Sequence, residues 1–600
     1  MRLINSKNDM KGTSPSKENA SGMERRRFLK GAASAAAVAA IIPLEPLVGG
    51  KESEAAASVA SFSPANRTNR SFDVRKTAAA RERIDLGVAP DNGDNALFSD
   101  HSGNWSKCLL HDDLGIVNQN SWNSFINALS SGNFRDFQNI IVGNPGGAGF
   151  TGTLNGPETS LAFDLQGLDS HATKIPPAPS VTSAQTAMEE VELYWGAMLR
   201  DVNFTDYVNS PLAAQAAADL NRCSFIKSGA NTEFPSAITP QNLFRGQIVP
   251  GDGSAKGPYI SQFMLQPTFY GAQPLSQMFQ TFAPGQSFMT SVEEYKSVES
   301  GHPPTATLAF DSTPRHLRNG RSLSAFTHVD VLHQSYFTAF LVLIGIGAPL
   351  NPGNPYLGSQ SQHGFGTLDP VEAAATIPEM ATRALKAAWY HKWIVNLRQR
   401  PEEVGALLHA HLTNRTPLPQ AAAKLHPDMV NAQVMAQTFS QSGSFLLPQV
   451  FPEGAPTHPC YPTGHGTVGG ACITAIKFFF DGNQPIRPLL QAAGSDVMQA
   501  SEDGLSLVPY TGDDRDSLTI NGELSKLAFN VTFGHGIHSG IHFRSSSNQS
   551  ILLGEETGIS VLKDRALTYN EPFTIKITKF DGTTATISNQ GDRGRDGEGN

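Results

Sequence analysis

The chain has 600 residues, of which 39% are hydrophobic and 16% are charged, and its formal net charge is −9. This balance allows a large buried core, and the negative charge argues against nucleic acid as the main partner. The four cysteines, Cys108, Cys223, Cys460 and Cys472, are widely spaced and form no CxxC pair. This spacing excludes a disulfide framework and a cysteine zinc site, but it leaves open whether Cys460 and Cys472 form a bridge.

The N-terminal region combines basic residues with a short apolar run. Three arginines, Arg25 to Arg27, precede Phe28-Leu29-Lys30, and an alanine-rich stretch follows over residues 31–43. This stretch is short for a membrane-spanning helix. The segment resembles a twin-arginine export signal, and we assign residues 1–50 to it. A basic patch before a membrane anchor is the alternative. Export would place the protein in the periplasm or outside the cell, with no membrane span in its mature form.

The rest of the chain divides into three parts. Residues 51–84 are rich in Ala, Ser, Lys and Arg and are predicted to form a linker. Residues 85–585 contain neither an internal repeat nor a long low-complexity stretch, which indicates one large domain. The polar, glycine-rich residues 586–600 are predicted to be disordered.

Helical patterns dominate the second half of the domain. The stretch LSAFTHVDVLHQSYFTAFLVLIGIG, residues 323–347, is apolar enough for a buried helix, although it contains His328, Asp330 and His333. Residues 378–397 have apolar positions at intervals of three and four, and residues 466–480 begin with small side chains that permit a close helix approach.

One segment near the C-terminus has a different period. Residues 569–587 alternate around Asp581-Gly582, which predicts a β-hairpin. The predicted fold class is therefore mainly α, with small β-hairpins.

The first segment that suggests chemistry is KWIVNLRQRPEE. It contains Lys392, Arg398 and Arg400, and the Arg400-Pro401 pair is predicted to end the helix. Two fixed cations at a helix end suit an oxyanion such as phosphate or vanadate. Solvated surface cations are the alternative.

The second segment is THPCYPTGHGTVGG, which contains His458, Thr463, Gly464 and His465. A Pro-Thr-Gly-His sequence ahead of a helix offers backbone N–H groups, a hydroxyl and an imidazole, which together could bind an oxyanion and carry a proton. A turn with a capping threonine is the alternative.

The third segment, GHGIHSGIHFR, contains His535, His538 and His542. If the segment is helical, intervals of three and four place all three imidazoles on one side, which could be a metal-binding face. A glycine-punctuated helix with incidental histidines is the alternative.

In this order, the three segments resemble the vanadium haloperoxidase and acid phosphatase superfamily. Its pattern is KxxxxxxRP, one residue longer in the algal bromoperoxidases, followed by PSGH and SRxxxGxH. The spacing of eight between Lys392 and Arg400 matches the bromoperoxidase branch. Longer stretches, including GPYISQF, FMTSVEEY and LTYNEPFTIKITKFDGTT, are similar to red-algal vanadium-dependent bromoperoxidases. The resemblance covers roughly residues 70–585 and implies a large helical-bundle haloperoxidase domain.

The resemblance also implies roles for particular residues. Lys392, Arg400, Thr463 and Gly464 would hold the oxygens of one vanadate per subunit, and His542 would bind the vanadium. His465 would be the acid–base histidine, and His458 a second active-site histidine. Hydrogen peroxide, a halide such as bromide or iodide, and small organic acceptors would be the substrates. The resemblance further implies a homo-oligomer, and no haem is required.

The chain departs from the family pattern near the vanadium ligand. The family arginine lies six residues before the axial histidine, where this chain has Gly536, and His535 could replace it as a donor. Ser546 stands where the family tends to have aspartate four residues after His542, and Asn396 where algal relatives often have histidine. Thr463 replaces the serine of PSGH.

These departures keep two alternatives to a peroxidase open. One is an acid phosphatase in which His542 acts as nucleophile. The other is a non-catalytic oxyanion-binding relative, which Gly536 and Ser546 would favour.

Overall fold

The computed structural model describes residues 64–82, 89–112, 115–147, 152–228 and 233–590. The predicted export signal, residues 1–50, and residues 591–600 of the predicted tail lie outside the described residues. The region predicted as a linker, residues 51–84, includes a helix at Pro64–Glu82.

The described residues form many α-helices and three short pairs of strands. The α-helices are α1 (Pro64–Glu82), α2 (Asp94–Leu97), α3 (Gln119–Ser131), α4 (Phe134–Gln138), α5 (Ala184–Leu199), α6 (Pro211–Leu220), α7 (Ser224–Lys227), α8 (Val292–Glu299), α9 (Gly320–Val329), α10 (Gln334–Gly345), α11 (Pro370–Tyr390), α12 (Pro401–Leu412), α13 (Pro427–Val430), α14 (Val434–Ser442), α15 (Gly464–Phe479), α16 (Ile486–Ala492), α17 (Ile520–His535) and α18 (Arg544–Ala566). The strands are β1 (Thr268–Tyr270), β2 (Gln273–Leu275), β3 (Met498–Ala500), β4 (Leu507–Pro509), β5 (Thr574–Thr578) and β6 (Thr584–Ser588). Each consecutive pair is antiparallel. The predicted fold class, mainly α with small hairpins, is confirmed.

Helix α15 lies at the centre of the molecule and is buried along its whole length. It packs against α11, α17 and α18. A Cβ atom at Gly470 would overlap the carbonyl oxygen of Ile551 in α18, and one at Gly469 would lie 2.5 Å from Tyr336 Oη. The small residues predicted to permit a close helix approach therefore do so, and they bring the first turn of α15 next to α18.

The long apolar stretch at residues 323–347 is not one helix, as the sequence predicted, but parts of two. Helix α9 ends at Val329, and Asp330 takes an extended conformation with ψ 151° before α10 begins at Gln334. Hydrophobic periodicity does not detect this break, because both halves are apolar. The break directs the Asp330 side chain towards α15.

The helix that contains Lys392 also ends at a different residue from the one that the sequence predicted. Helix α11 continues into a π-helix, His391–Asn396, which ends where Leu397 takes a left-handed conformation with φ 42°. Arg400-Pro401 therefore does not end this helix, as predicted, but begins α12, with Pro401 in its first turn. Proline suits that position because the first N–H groups of a helix have no intrahelical partner.

The predicted hairpin near the C-terminus is confirmed as β5 and β6, with Gly582 in the turn at φ 80°. Strand β6 continues to Ser588, three residues beyond the domain end predicted at residue 585, because Ser588 pairs with Thr574. Within the described part of the chain, no helix is long and apolar enough to cross a membrane.

Candidate active site

Lys392 lies in the π-helix, and its side chain is fully buried. Its Nζ donates hydrogen bonds to the carbonyl oxygens of Pro459 at 2.7 Å and Cys460 at 3.1 Å. The Trp389 ring centroid lies 5.7 Å from the same nitrogen. The first predicted segment is therefore joined directly to the loop that precedes α15.

Arg400, the residue before α12, connects the second and third predicted segments. Its fully buried guanidinium donates from Nε to the carbonyl oxygen of His458 and from Nη1 to that of Ile541, both at 2.9 Å. Nη1 also lies 2.8 Å from His542 Nε2, and Nη2 lies 2.9 Å from His458 Nδ1. The structure thus brings Lys392, Arg400, His458 and His542 together, as the sequence predicted.

The two buried cations, Lys392 and Arg400, have no acidic partner among the described residues. Among the residues that the structure describes, neither Lys392 nor Arg400 forms an ion pair with a carboxylate. Burial, and then the neighbouring Arg400, hold the pKa of Lys392 well below its usual range. Burial also lowers the pKa of Arg400. Buried charges are normally paired, so this arrangement suits a bound anion that would pair with both cations.

Arg398, which the sequence places between the two cations, faces elsewhere. Its Nη2 pairs with Glu189 Oε2 at 3.1 Å, and its Nη1 donates to the hydroxyls of Ser545 and Ser546. Its guanidinium also lies 4.1 Å from the centroid of the Phe543 ring. The charge of Arg398 is therefore balanced by Glu189, and its side chain supports the start of α18.

The first turn of α15 provides further donors. Thr463 is the residue before the helix, and its buried Oγ1 has no hydrogen-bond partner among the residues that the structure describes. A Cβ atom at Gly464 would lie 3.2 Å from the Trp389 ring, so glycine fits this close approach. An unpaired buried hydroxyl at a helix N-terminus suits an oxyanion ligand, because the helix end also attracts negative charge.

His465 forms a hydrogen-bonded pair with Asp330. Its Nε2 lies 3.0 Å from Asp330 Oδ1, and the second carboxylate oxygen is buried with no partner in the described part of the chain. The His535 ring stacks on that of His465, with centroids 3.9 Å apart. Sequence analysis did not assign Asp330 to the site, although an aspartate inside an apolar stretch was a visible signal.

The three histidines of the third segment do not form a common metal-binding face. Helix α17 ends at His535 and α18 begins at Arg544, so helical spacing does not apply between them. His538 turns away, and its Nε2 lies 3.0 Å from Tyr259 Oη. The His535 and His542 rings remain close, with centroids 5.7 Å apart. Within the described ranges, no group of three or more His, Cys, Asp or Glu residues could hold a metal ion.

The imidazoles nearest the two cations are held in their neutral form. Burial, reinforced by the charges of Lys392 and Arg400, keeps the pKa values of His458 and His542 well below the usual range. Burial and then His465 do the same for the pKa of His535, whose Nδ1 is buried and has no partner among the described residues. A neutral imidazole has one free lone pair, which a metal ligand requires.

The protein is therefore helical, and its buried donors Lys392, Arg400, Thr463 and Gly464 form a candidate oxyanion site, called here the oxyanion cradle. Comparison with known proteins identifies the family. The chain matches no family profile. It is 30% identical to the vanadium-dependent bromoperoxidases of Corallina pilulifera and Corallina officinalis, covering 87% of this chain and 98% of each relative. It is also 30% identical to that of Ascophyllum nodosum, covering 88% of this chain and 94% of the relative.

The chain is also similar to a solved structure of a bromoperoxidase. The second vanadate-dependent bromoperoxidase of Ascophyllum nodosum, a homohexamer, superimposes with a TM-score of 0.79 and 27% identity over 92% of this chain and 95% of that chain. The chain belongs to the vanadium-dependent bromoperoxidase family.

Proposed function

We propose that the protein is a vanadate-dependent haloperoxidase. It uses hydrogen peroxide to oxidise bromide, and also iodide, to a hypohalous-acid equivalent that halogenates small organic acceptors. The observation that carries this proposal is the pair of buried cations, Lys392 and Arg400, which face neutral imidazoles and have no carboxylate partner among the described residues. The curated relatives, named as bromoperoxidases, favour this function over an acid phosphatase or a non-catalytic oxyanion binder.

The donors present fit one vanadate per subunit. Lys392, Arg400, the Thr463 hydroxyl and the Gly464 N–H would hold its oxygens, and His542 Nε2 would bind the metal. The unpaired Thr463 Oγ1 supports this fit. Fixed donors in a site without water stabilise developing negative charge more strongly than the same groups in solvent.

Bound vanadate would supply a Lewis-acidic centre that activates peroxide towards halide, so the proposal includes no haem. His465 would exchange protons with the peroxide, and its hydrogen bond with Asp330 would fix the ring orientation. His458, which Arg400 and Trp389 contact, would line the approach of the halide.

His535 would take over part of the role of the family arginine. It lies between His465 and His542, and its Nδ1 has no partner within the described ranges. A neutral imidazole can donate one hydrogen bond, whereas a guanidinium offers five N–H groups and a permanent charge. We therefore expect weaker vanadate binding than an arginine would give.

A titration tests the proposed function. Protein stripped of oxyanions is supplied with orthovanadate, hydrogen peroxide and bromide, and halogenation of a 1,3-dione is followed. We expect activity that saturates with vanadate and that phosphate suppresses. A folded protein that remains inactive with excess vanadate would refute the peroxidase and leave the non-catalytic alternative.

We also propose that the chain forms a homo-oligomer, by analogy with the homohexameric structural relative. Native mass spectrometry of the purified protein should show a multiple of the 64.2 kDa chain, less any removed signal. A monomer at micromolar concentration would contradict the analogy.

Export by the twin-arginine route remains a proposal that rests on residues 25–30. Replacing both Arg25 and Arg26 by lysine should retain the protein in the cytoplasm of a bacterial host, as judged by cell fractionation. Unchanged export of this variant would exclude the route.

A further inference from the structure

The proposed vanadium ligand has a sulfur atom on the side opposite its metal-binding nitrogen. His542 Nδ1 lies 3.3 Å from Cys460 Sγ, and both residues are fully buried. Cys460 belongs to the loop before α15, and its own carbonyl oxygen accepts a hydrogen bond from Lys392 Nζ. Cys460 forms no disulfide, so this sulfur is a thiol.

The neighbouring arginine determines the direction of this hydrogen bond. A guanidinium can only donate, and Arg400 Nη1 lies 2.8 Å from His542 Nε2, so Nε2 must be the acceptor. An imidazole that accepts a hydrogen bond at Nε2 has its lone pair there and carries its proton on the other nitrogen. Nδ1 therefore carries the N–H group, and Cys460 Sγ accepts it.

Ser546, which stands at the position of the family aspartate, does not take this role. Its Oγ lies 3.5 Å from Cys460 Sγ and accepts a hydrogen bond from Arg398 Nη1 at 3.2 Å. The thiol hydrogen of Cys460 can point towards this hydroxyl, so the sulfur lies between the serine and the imidazole.

We propose that Cys460 is a positioning residue for the vanadium ligand. By accepting the Nδ1–H of His542, its sulfur fixes the ring orientation and the tautomer that leaves the Nε2 lone pair facing Arg400 and the cradle. This inference rests on the proposed function, because it assumes that His542 Nε2 binds vanadate. Acceptors on the far nitrogen of a metal-binding histidine typically contribute about 10- to 100-fold to affinity or activity.

Three variants and a control separate this role from simple packing. Cys460→Ala removes the acceptor, and Cys460→Ser keeps one. Ser546→Ala removes the serine hydroxyl alone. Cys472→Ala is the control, because Cys472 is another fully buried thiol, within α15, that contacts the carbonyl oxygen of Ile377 rather than the site.

Calorimetric titration of vanadate into oxyanion-stripped protein, with the thermal midpoint of each variant measured in parallel, gives the first test. We expect the dissociation constant to rise about 10- to 100-fold in Cys460→Ala. We expect it to stay within about threefold of wild type in Cys460→Ser, Ser546→Ala and Cys472→Ala. Equal affinity in Cys460→Ala and wild type would overturn the inference, as would a large loss confined to Ser546→Ala.

A second measurement needs no vanadate. Solid-state ¹⁵N NMR of histidine-labelled, oxyanion-stripped protein, with His542→Gln to identify the signal, reports which ring nitrogen carries the proton. We expect Nδ1 to be protonated in wild type and a mixture of tautomers in Cys460→Ala. Protonation of Nε2 in wild type would refute the hydrogen bond. If wild type shows the expected tautomer but binds no vanadate, the proposed function fails while the hydrogen bond stands.

Discussion

At the scale of single residues, the site keeps two cations apart from the carboxylates around them. Glu189 pairs with Arg398, and Glu403 Oε2 accepts only the backbone N–H of Arg400 rather than its guanidinium. The charges of Lys392 and Arg400 therefore remain available to an anion. The imidazoles between them are neutral, so they do not compete with the anion for these charges.

The Asp330–His465 pair leads to a prediction about proton transfer. Asp330→Asn should lower the kcat for bromide oxidation about 10- to 100-fold, a part of the roughly 10²- to 10⁴-fold that a positioned acid–base group contributes. Vanadate affinity should change little, because Asp330 contacts His465 and not the cations. Steady-state kinetics at saturating vanadate measure the effect.

The matched control is Asp496→Asn, which removes a carboxylate from a partly exposed pair with Arg487. Its kcat should equal that of wild type. A kcat for Asp330→Asn within twofold of wild type would remove Asp330 from the proton-transfer scheme.

His535 gives a second prediction at this scale. His535→Ala should raise the dissociation constant of vanadate about 10- to 100-fold, since one hydrogen bond to a charged group contributes about 1.5–3 kcal/mol. The measurement is calorimetric titration, with His302→Ala at an exposed position as the control. Unchanged affinity in His535→Ala would show that the donor lost with the family arginine has no replacement here.

Sequence reasoning predicted candidate site residues from its motifs, but it did not predict the contacts that Asp330 and Cys460 make with them. Lys392, Arg400 and His542 stand at spacings that a motif fixes, and the structure brings them together. Asp330 lies outside the motifs and reaches the site through a helix break. Cys460 lies within the second segment, but it meets His542 only through a contact between distant loops. Neither feature has a local sequence signal that specifies its partner.

At the scale of elements, the position of the site depends on how closely α15 approaches α18. Gly470→Ala would drive a Cβ into the backbone of α18, which cannot move aside as a side chain can. We expect the free energy of unfolding to fall by about 1–3 kcal/mol or more, the usual cost of overpacking. Denaturant unfolding measures this change.

Gly366→Ala serves as the control, because a Cβ there meets no atom within 4 Å. Its free energy of unfolding should be close to that of wild type. Equal stability of Gly470→Ala and Gly366→Ala would show that the α15–α18 contact is looser than described.

The element boundaries show where periodicity was sufficient and where it was not. Alternation around Asp581-Gly582 predicted the hairpin correctly, because the turn has its own chemistry. The break at Asp330 and the end of the π-helix at Leu397 were missed. Both are set by tertiary contacts that override a continuous apolar pattern.

At the scale of the whole molecule, buried histidines make stability depend on pH. Burial, and then the charges of Arg200 and Arg544, lower the pKa of His538 to about 3. The folded pKa lies below the unfolded value of about 6.5, so only the unfolded state binds this proton between those pH values. The resulting stability is present above pH 6.5 and is lost as the pH falls towards 3.

A variant isolates this contribution. In His538→Gln, the decrease in the free energy of unfolding between pH 6.5 and pH 4 should be about 3 kcal/mol smaller than in wild type. Denaturant midpoints measured across this range provide the comparison. Parallel pH dependences in the two proteins would show that His538 is accessible to protons in the folded state.

The central claim is that the cradle binds vanadate through His542, and the most direct measurement counts the metal. Oxyanion-stripped wild type and His542→Ala are dialysed to equilibrium against orthovanadate, and vanadium is measured per chain. We predict one vanadium per chain in wild type, competed by phosphate, and an affinity reduced more than about 100-fold in His542→Ala, beyond the effect of losing an outer partner. Equal binding by the two proteins, or no binding by folded wild type, would contradict the account.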